Sequence, residues 1–177
     1  LKLNRLFYTD IHWVVQPDFC IEPLSWFQKI KLALFNKKTP KNVGVIYSPI
    51  NQEIKVDCLD KLNLIENDFF IFNAGSGGHK SGQMLCADVY FQAAQQFYQQ
   101  THMACIMVFG VNYPGEIPPS SINEQGCSLI CLRSLEHEEF LVLLASAKGR
   151  VISAGGTILQ CIALNQVSVA ASVSSDQ

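Results

Sequence analysis

Phe69-Phe70-Ile71-Phe72 runs straight into Asn73-Ala74-Gly75-Ser76-Gly77-Gly78. About 80 residues later the pattern returns, as Val151-Ile152 followed by Ser153-Ala154-Gly155-Gly156-Thr157. Each is a short apolar run that ends in a glycine-rich turn, and a helical pattern follows each turn. Gln83–Gln100 stacks Leu85, Val89, Ala93 and Phe97 four residues apart, the spacing of one helix face. Thr157–Leu164 is the second helix, closed by Asn165, a residue that tolerates the left-handed conformation. A strand, a glycine turn and a helix N-terminus together make an anion site, because free backbone N–H groups and the helix dipole both favour negative charge.

Between the two turns the alternation continues. Met103–Phe109 is apolar throughout and reads as a strand buried on both faces. Residues 111–126 are a loop with three prolines and Gly126. Cys127–Leu132 is a third strand. Ser134 is placed to cap a helix with Glu136, Glu138 and Glu139 in its first turn, and Gly149 to end it. Val151–Ser153 is the fourth strand and Val167–Val173 the fifth. Strict alternation of strand and helix predicts an α/β fold with a Rossmann-like parallel sheet and flanking helices. In the usual order for five strands, 3-2-1-4-5, strands one and four are neighbours where the order reverses. Ligands bind at that point, so both turns would face one crevice.

The N-terminal part differs in character. Residues 1–61 hold nine Lys/Arg and six Asp/Glu, whereas residues 62–177 hold four and nine. Residues 1–22 have a helix-like start and then a short strand, Trp13-Val14-Val15. Residues 23–36 read as a helix opened by Pro23, with Leu24, Phe27, Ile30 and Leu34 at helical spacing. Val43 to Tyr47 is a further strand, stopped by Pro49. These elements suggest part of a second α/β domain over 1–50. Residues 51–68, polar and irregular, are expected to be a linker with a short helix, and 69–177 the C-terminal domain. Lys29, Lys31, Lys37, Lys38 and Lys41 lie in a stretch with no acid between Glu22 and Glu53. Beside Trp26, Phe27, Ile30 and Leu34 they allow two readings: a helix lying on an anionic membrane, or one packed on its own domain with its lysines in water.

Composition narrows the classes. The chain has 177 residues, 49% of them hydrophobic, and a net charge of −2, which suits a sizeable core and argues against general nucleic-acid binding. The seven cysteines have no C-x-x-C spacing and mostly sit in apolar runs, as small hydrophobes do in a reducing compartment. The expectation is a cytoplasmic protein, with membrane association through the Lys29–Lys41 region as its extension, and with no metal and no cofactor.

The first glycine turn is neither of the common phosphate loops. A Walker loop needs Gly at Ala74 and at His79. A dinucleotide fingerprint needs Gly at Lys80 and an acid after strand two, where Gly110-Val111-Asn112 stands. What remains is a looser turn that admits a phosphate or sugar to the backbone, with His79 or Lys80 in the following helical turn to assist, or a tight connection that binds nothing. Thr157 either caps its helix or holds a phosphate oxygen. His12, His102 and His137 have no metal spacing, and His137, in an acidic helix start, reads as surface.

Val151-Ile152-Ser153-Ala154-Gly155-Gly156-Thr157-Ile158-Leu159-Gln160-Cys161-Ile162-Ala163-Leu164-Asn165-Gln166-Val167-Ser168-Val169, with Asp176-Gln177 beyond it, resembles the donor-site segment of GT-B-type glycosyltransferases. It is similar in particular to bacterial enzymes that add N-acetylglucosamine to lipid-linked intermediates, and to related sugar-nucleotide hydrolases. Gly75–Gly78 is similar to the first loop of their C-terminal domain, and Val45-Ile46-Tyr47-Ser48-Pro49-Ile50 to the end of their N-terminal domain. The resemblance covers residues 43–177 in layout and two loops in motif. It implies transfer of a sugar from a nucleotide donor, often uridine diphosphate-linked, to an acceptor that can be lipid-linked. The diphosphate would lie against Gly75, Ser76, Gly77, Gly78 and His79 on one side and Gly155, Gly156 and Thr157 on the other. The family's ribose-holding acid falls on Gln160, an amide, and its Gly and Pro fall on Asn165 and Val167. Asp176 and Gln177 would stand near the donor sugar. The resemblance also implies an acceptor domain before this stretch and more helix after it, so that the chain reads as a fragment or a split enzyme. No catalytic base is identified; Asp10 and His12 merely lie in the half where the family carries one.

Overall fold

The computed structural model describes residues 10–124 and 126–173. The chain divides between Tyr47 and Ser48 into two compact units.

In the first unit, β1 (Trp13–Val14) and β2 (Lys41–Asn42) pair in parallel, with α1 (Trp26–Leu34) between them in sequence. The expected strand at Val43–Tyr47 does not form; pairing stops at Asn42. The expected helix start at Pro23 also moves. Ser25 caps α1 instead: its hydroxyl accepts the Gln28 N–H at 3.3 Å while the Gln28 side chain accepts the Ser25 N–H at 2.8 Å. This reciprocal box satisfies two N–H groups that would otherwise lack partners.

The second unit holds α2 (Gln52–Lys61), β3 (Phe69–Asn73), the hairpin β4 (Lys80–Ser81) and β5 (Met84–Leu85), α3 (Cys86–Thr101), β6 (Ala104–Val108), β7 (Ser121–Ile122), β8 (Ser128–Leu132), α4 (His137–Ser146), β9 (Gly149–Ser153), α5 (Gly156–Ala163) and β10 (Val169–Ala171). It is a mixed α/β fold around a six-stranded, mostly parallel sheet in the order β10-β9-β3-β6-β8-β7. The five parallel strands follow the expected 3-2-1-4-5 order. Only β7, inside the stretch read as loop, is antiparallel.

Strand alternation sorts the core into two layers. Phe69, Ile71, Ile106, Val108, Ile130 and Ile152 point to the face covered by α2, α4 and α5. Phe72, Cys105, Met107, Leu129 and Cys131 point to the face covered by α3. Burial pushes the Cys105 thiol up to about 12 and Cys131 up to about 11, so both stay protonated and pack as small hydrophobes. Tyr90 of α3 reaches across its face to donate to the Ile152 carbonyl at 2.9 Å.

Three boundaries differ from expectation for physical reasons. Residues 51–68 are not a linker: Cys58, Leu59 and Leu64 are buried in the core under α4. Gly149 does not end α4. It opens β9, where a side chain would collide with the Phe70 ring of β3. Glu136, not Ser134, caps α4, in a box with Glu139. Asn165 behaves as expected, at φ 55°, and the Gln166 N–H closes the helix end on Cys161 O at 2.8 Å. Among the described residues no helix is long and apolar enough to cross a membrane.

Candidate functional site

Because β3, β6, β8 and β9 are parallel, the connections that leave them gather at one edge of the sheet. The chain leaves β3 towards β6 and returns on the other side as β9. The reversal therefore falls between β3 and β9, the two strands that carry the glycine turns.

The first turn is held from both sides. Asn73, buried at the end of β3, accepts the Gly75 N–H at 3.0 Å and donates to the Val108 carbonyl of β6 at 3.1 Å. The Asn112 N–H donates to the Ser76 carbonyl at 2.9 Å. At Gly77, with φ 87°, a Cβ would overlap the Phe109 carbonyl oxygen. At Gly110 it would overlap the Ser76 carbonyl. The turn and the segment after β6 are thus packed backbone to backbone, which only glycine permits. On the other flank a Cβ on Gly75 would stand 2.8 Å from Ser153 Oγ, at the end of β9.

No helix starts directly after this turn, contrary to expectation. The β4–β5 hairpin intervenes, and the Cys86 N–H that opens α3 bonds back to the His79 carbonyl at 2.9 Å. Lys80, expected in a helical turn, is an exposed residue of β4. The second turn does lead into a helix. Gly155 is the N-cap of α5, and no side chain caps that helix. Thr157 is therefore not the cap. Its position in the uncapped first turn leaves its hydroxyl and the neighbouring N–H groups to whatever enters the cleft.

Above the two turns lies a cleft of about 570 Å³. Gly75, Ser76, His79, Gly155, Gly156, Thr157 and Gln160 all line it. Gly77 and Gly78 do not: Gly77 is buried under Tyr113 and Phe109, and Gly78 sits against Asn112. Asp176 and Gln177 lie outside the described residues. The remaining wall comes from Asn73, Val108, Val111, Ser153 and Val173, and from the approach to α4 and its start, with Ser134, Leu135, His137 and Phe140. His137 is exposed, as expected of a surface residue, but it is part of this wall. Its place follows from topology: a connection after any of the parallel strands opens at the same edge.

No known protein family, curated protein or solved structure matches this chain.

The chemistry of the cleft is specific. Its described lining holds no Lys, Arg, Asp or Glu. It offers hydroxyls (Ser76, Ser134, Ser153, Thr157), the amide of Gln160, two imidazoles and the N-terminal turn of α5. Such a set has N–H and O–H donors and a helix dipole suited to an anion, and no fixed cations. Leu135, Phe140, Val108 and Val111 supply an apolar side, against which a ring or a sugar face can lie.

Proposed function

We propose that residues 48–177 are the donor-binding half of a GT-B-type glycosyltransferase, a Rossmann-like domain that holds a nucleoside diphosphate sugar in the cleft between β3 and β9. The observation that carries this reading is the convergence of both glycine turns, from strands adjacent at the reversal of strand order, beside an uncapped helix N-terminus. The diphosphate lies between Gly75-Ser76 and Gly155-Gly156-Thr157. Backbone N–H groups stabilise it as the leaving group when the glycosidic bond breaks. Gln160, one turn into α5, serves the ribose through its amide. Uridine diphosphate is the preferred nucleotide on the resemblance of the α5 segment, which also allows a lipid-linked acceptor.

The test uses Gly156, where an added Cβ meets open space. Uridine diphosphate at a hundred times its Kd raises stability by about 2.7 kcal/mol, read as a shift in Tm. Gly156→Asp keeps the fold, since an acid suits a helix N-terminus, yet it places a carboxylate against the phosphates and abolishes the shift. A shift with NAD and none with uridine diphosphate overturns the reading. A second reading, a non-catalytic nucleotide-sugar-binding module, is favoured by Gln160 standing where the resemblance places an acid. Turnover of a uridine diphosphate sugar separates the two.

A further inference from the structure

Helix α1 is amphipathic in the wrong sense for a core helix. Trp26, Phe27, Ile30 and Leu34 fall within an arc of about 100°. That arc faces solvent: the four are 62%, 59%, 44% and 77% exposed. Leu32, on the far side, is the buried residue of the helix. The Trp26 and Phe27 rings lie together, with centroids 3.8 Å apart. Lys29 borders the stripe on one side and Lys31 on the other. Lys38 and Lys41 follow in sequence, and none of these four lysines is paired with an acid among the described residues; Lys37 alone pairs, with Asp10 at 3.0 Å.

We propose that α1 is a peripheral membrane contact, laying its Trp26-Phe27-Ile30-Leu34 stripe into the headgroup boundary of an anionic bilayer while the flanking lysines meet lipid phosphates. Aromatic and aliphatic side chains bordered by lysine are what such an interface takes up, and each lysine adds attraction to a negative leaflet. Charge argues against a second copy of the chain as the occupant. A symmetric stripe-to-stripe contact would bring Lys29 and Lys31 of both copies together with no acid between Glu22 and Glu53 to offset them. The proposal does not depend on what the cleft binds.

The experiment is co-sedimentation of the full chain with vesicles of phosphatidylcholine containing about 30% phosphatidylglycerol, enough to give a negative surface. Binding to these vesicles, loss of binding to pure phosphatidylcholine, and a blue shift of Trp26 fluorescence in a Trp13→Phe background are expected. Lys29→Gln and Lys31→Gln each lower the partition coefficient about fivefold. Ile30→Ser with Leu34→Ser lowers it tenfold or more, on the order expected for the methylenes removed, with circular dichroism unchanged because both side chains are exposed. Equal binding to both vesicle types, or variants that bind as the parent does, overturns the proposal. So does a dimer in solution that Ile30→Ser and Leu34→Ser dissociate, which assigns the stripe to a second copy.

Discussion

Arg150 shows how much can rest on one side chain. It is 5% exposed, inside β9. Its guanidinium donates to the carbonyls of Leu144, of Ala145 at 3.2 Å and of Ala147 at 2.6 Å, where α4 ends, and to Val167 at 3.5 Å. The negative end of the α4 dipole thus meets a positive charge. Arg150→Met leaves the carbonyls of the buried Leu144 and Ala147 without this donor and is expected to cost about 3 kcal/mol, read as a lower urea midpoint. Arg150→Lys does not restore it, because one ammonium cannot span the fork. Tyr113 gives a pH signature. Its hydroxyl donates to the Asp88 carboxylate at 2.7 Å, and this bond, with some burial, pushes its pKa up to about 12. The folded state then holds a proton that the unfolded chain loses near pH 10. The stability from this bond is complete below pH 10 and is lost as pH rises towards 12. Ultraviolet titration should show a phenol that titrates at about 12 disappearing in Tyr113→Phe and moving down in Asp88→Asn. Neither role was visible in the sequence: Asp88 is 25 positions from Tyr113, and the partners of Arg150 are backbone carbonyls, which carry no side-chain signal even three to six positions away.

Helices and strands were legible where their signal is local. Asn165 announced the end of α5, and its φ of 55° predicts that Asn165→Gly is nearly neutral while Asn165→Val costs about 1 kcal/mol or more. The short apolar runs at β3, β6, β8 and β9 were equally plain. α2 was not. Glu53, Lys55, Asp57, Asp60 and Lys61 made 51–68 look like a linker, while only Ile54, Cys58 and Leu59 mark its inner face. Its charges are spent on the surface instead, Lys55 on Glu66 at 2.6 Å and Lys61 on Glu139 at 3.4 Å. The correction is testable. Leu59→Ala should cost roughly 2–4 kcal/mol, as core truncations do, whereas a linker residue would change stability by less than about 0.5 kcal/mol. The hairpin β4–β5 and strand β7 had no periodicity to betray them. Each strand has two residues, and pairing partners alone define them.

For the whole molecule, the strand order decides what the glycine turns can do. The alternation of elements implied a parallel sheet; it did not supply the order, which rested on the habit of five-stranded units. With β3 beside β9 the two turns share a cleft. The α4 side of that cleft went unread because Ser134, Leu135 and Phe140 carry no motif. The two units should also differ in resistance to opening. Amides of β3, β6, β8 and β9 lie between two buried layers, whereas the first unit leaves Trp26, Phe27 and Leu34 in solvent. Hydrogen exchange is expected to be slowest in those four strands and much faster across residues 10–47.

The contrast between the floor of the cleft and its α5 side has a consequence for how the protein can change over generations. Gly77 and Gly110 are locked against opposing backbone, and any side chain there pries the loops apart. Gly156 faces empty space. A lineage exploring new ligands can therefore sample side chains on one rim without disturbing the scaffold below it. A saturation library should return functional diversity at position 156 and almost none at 77 or 110.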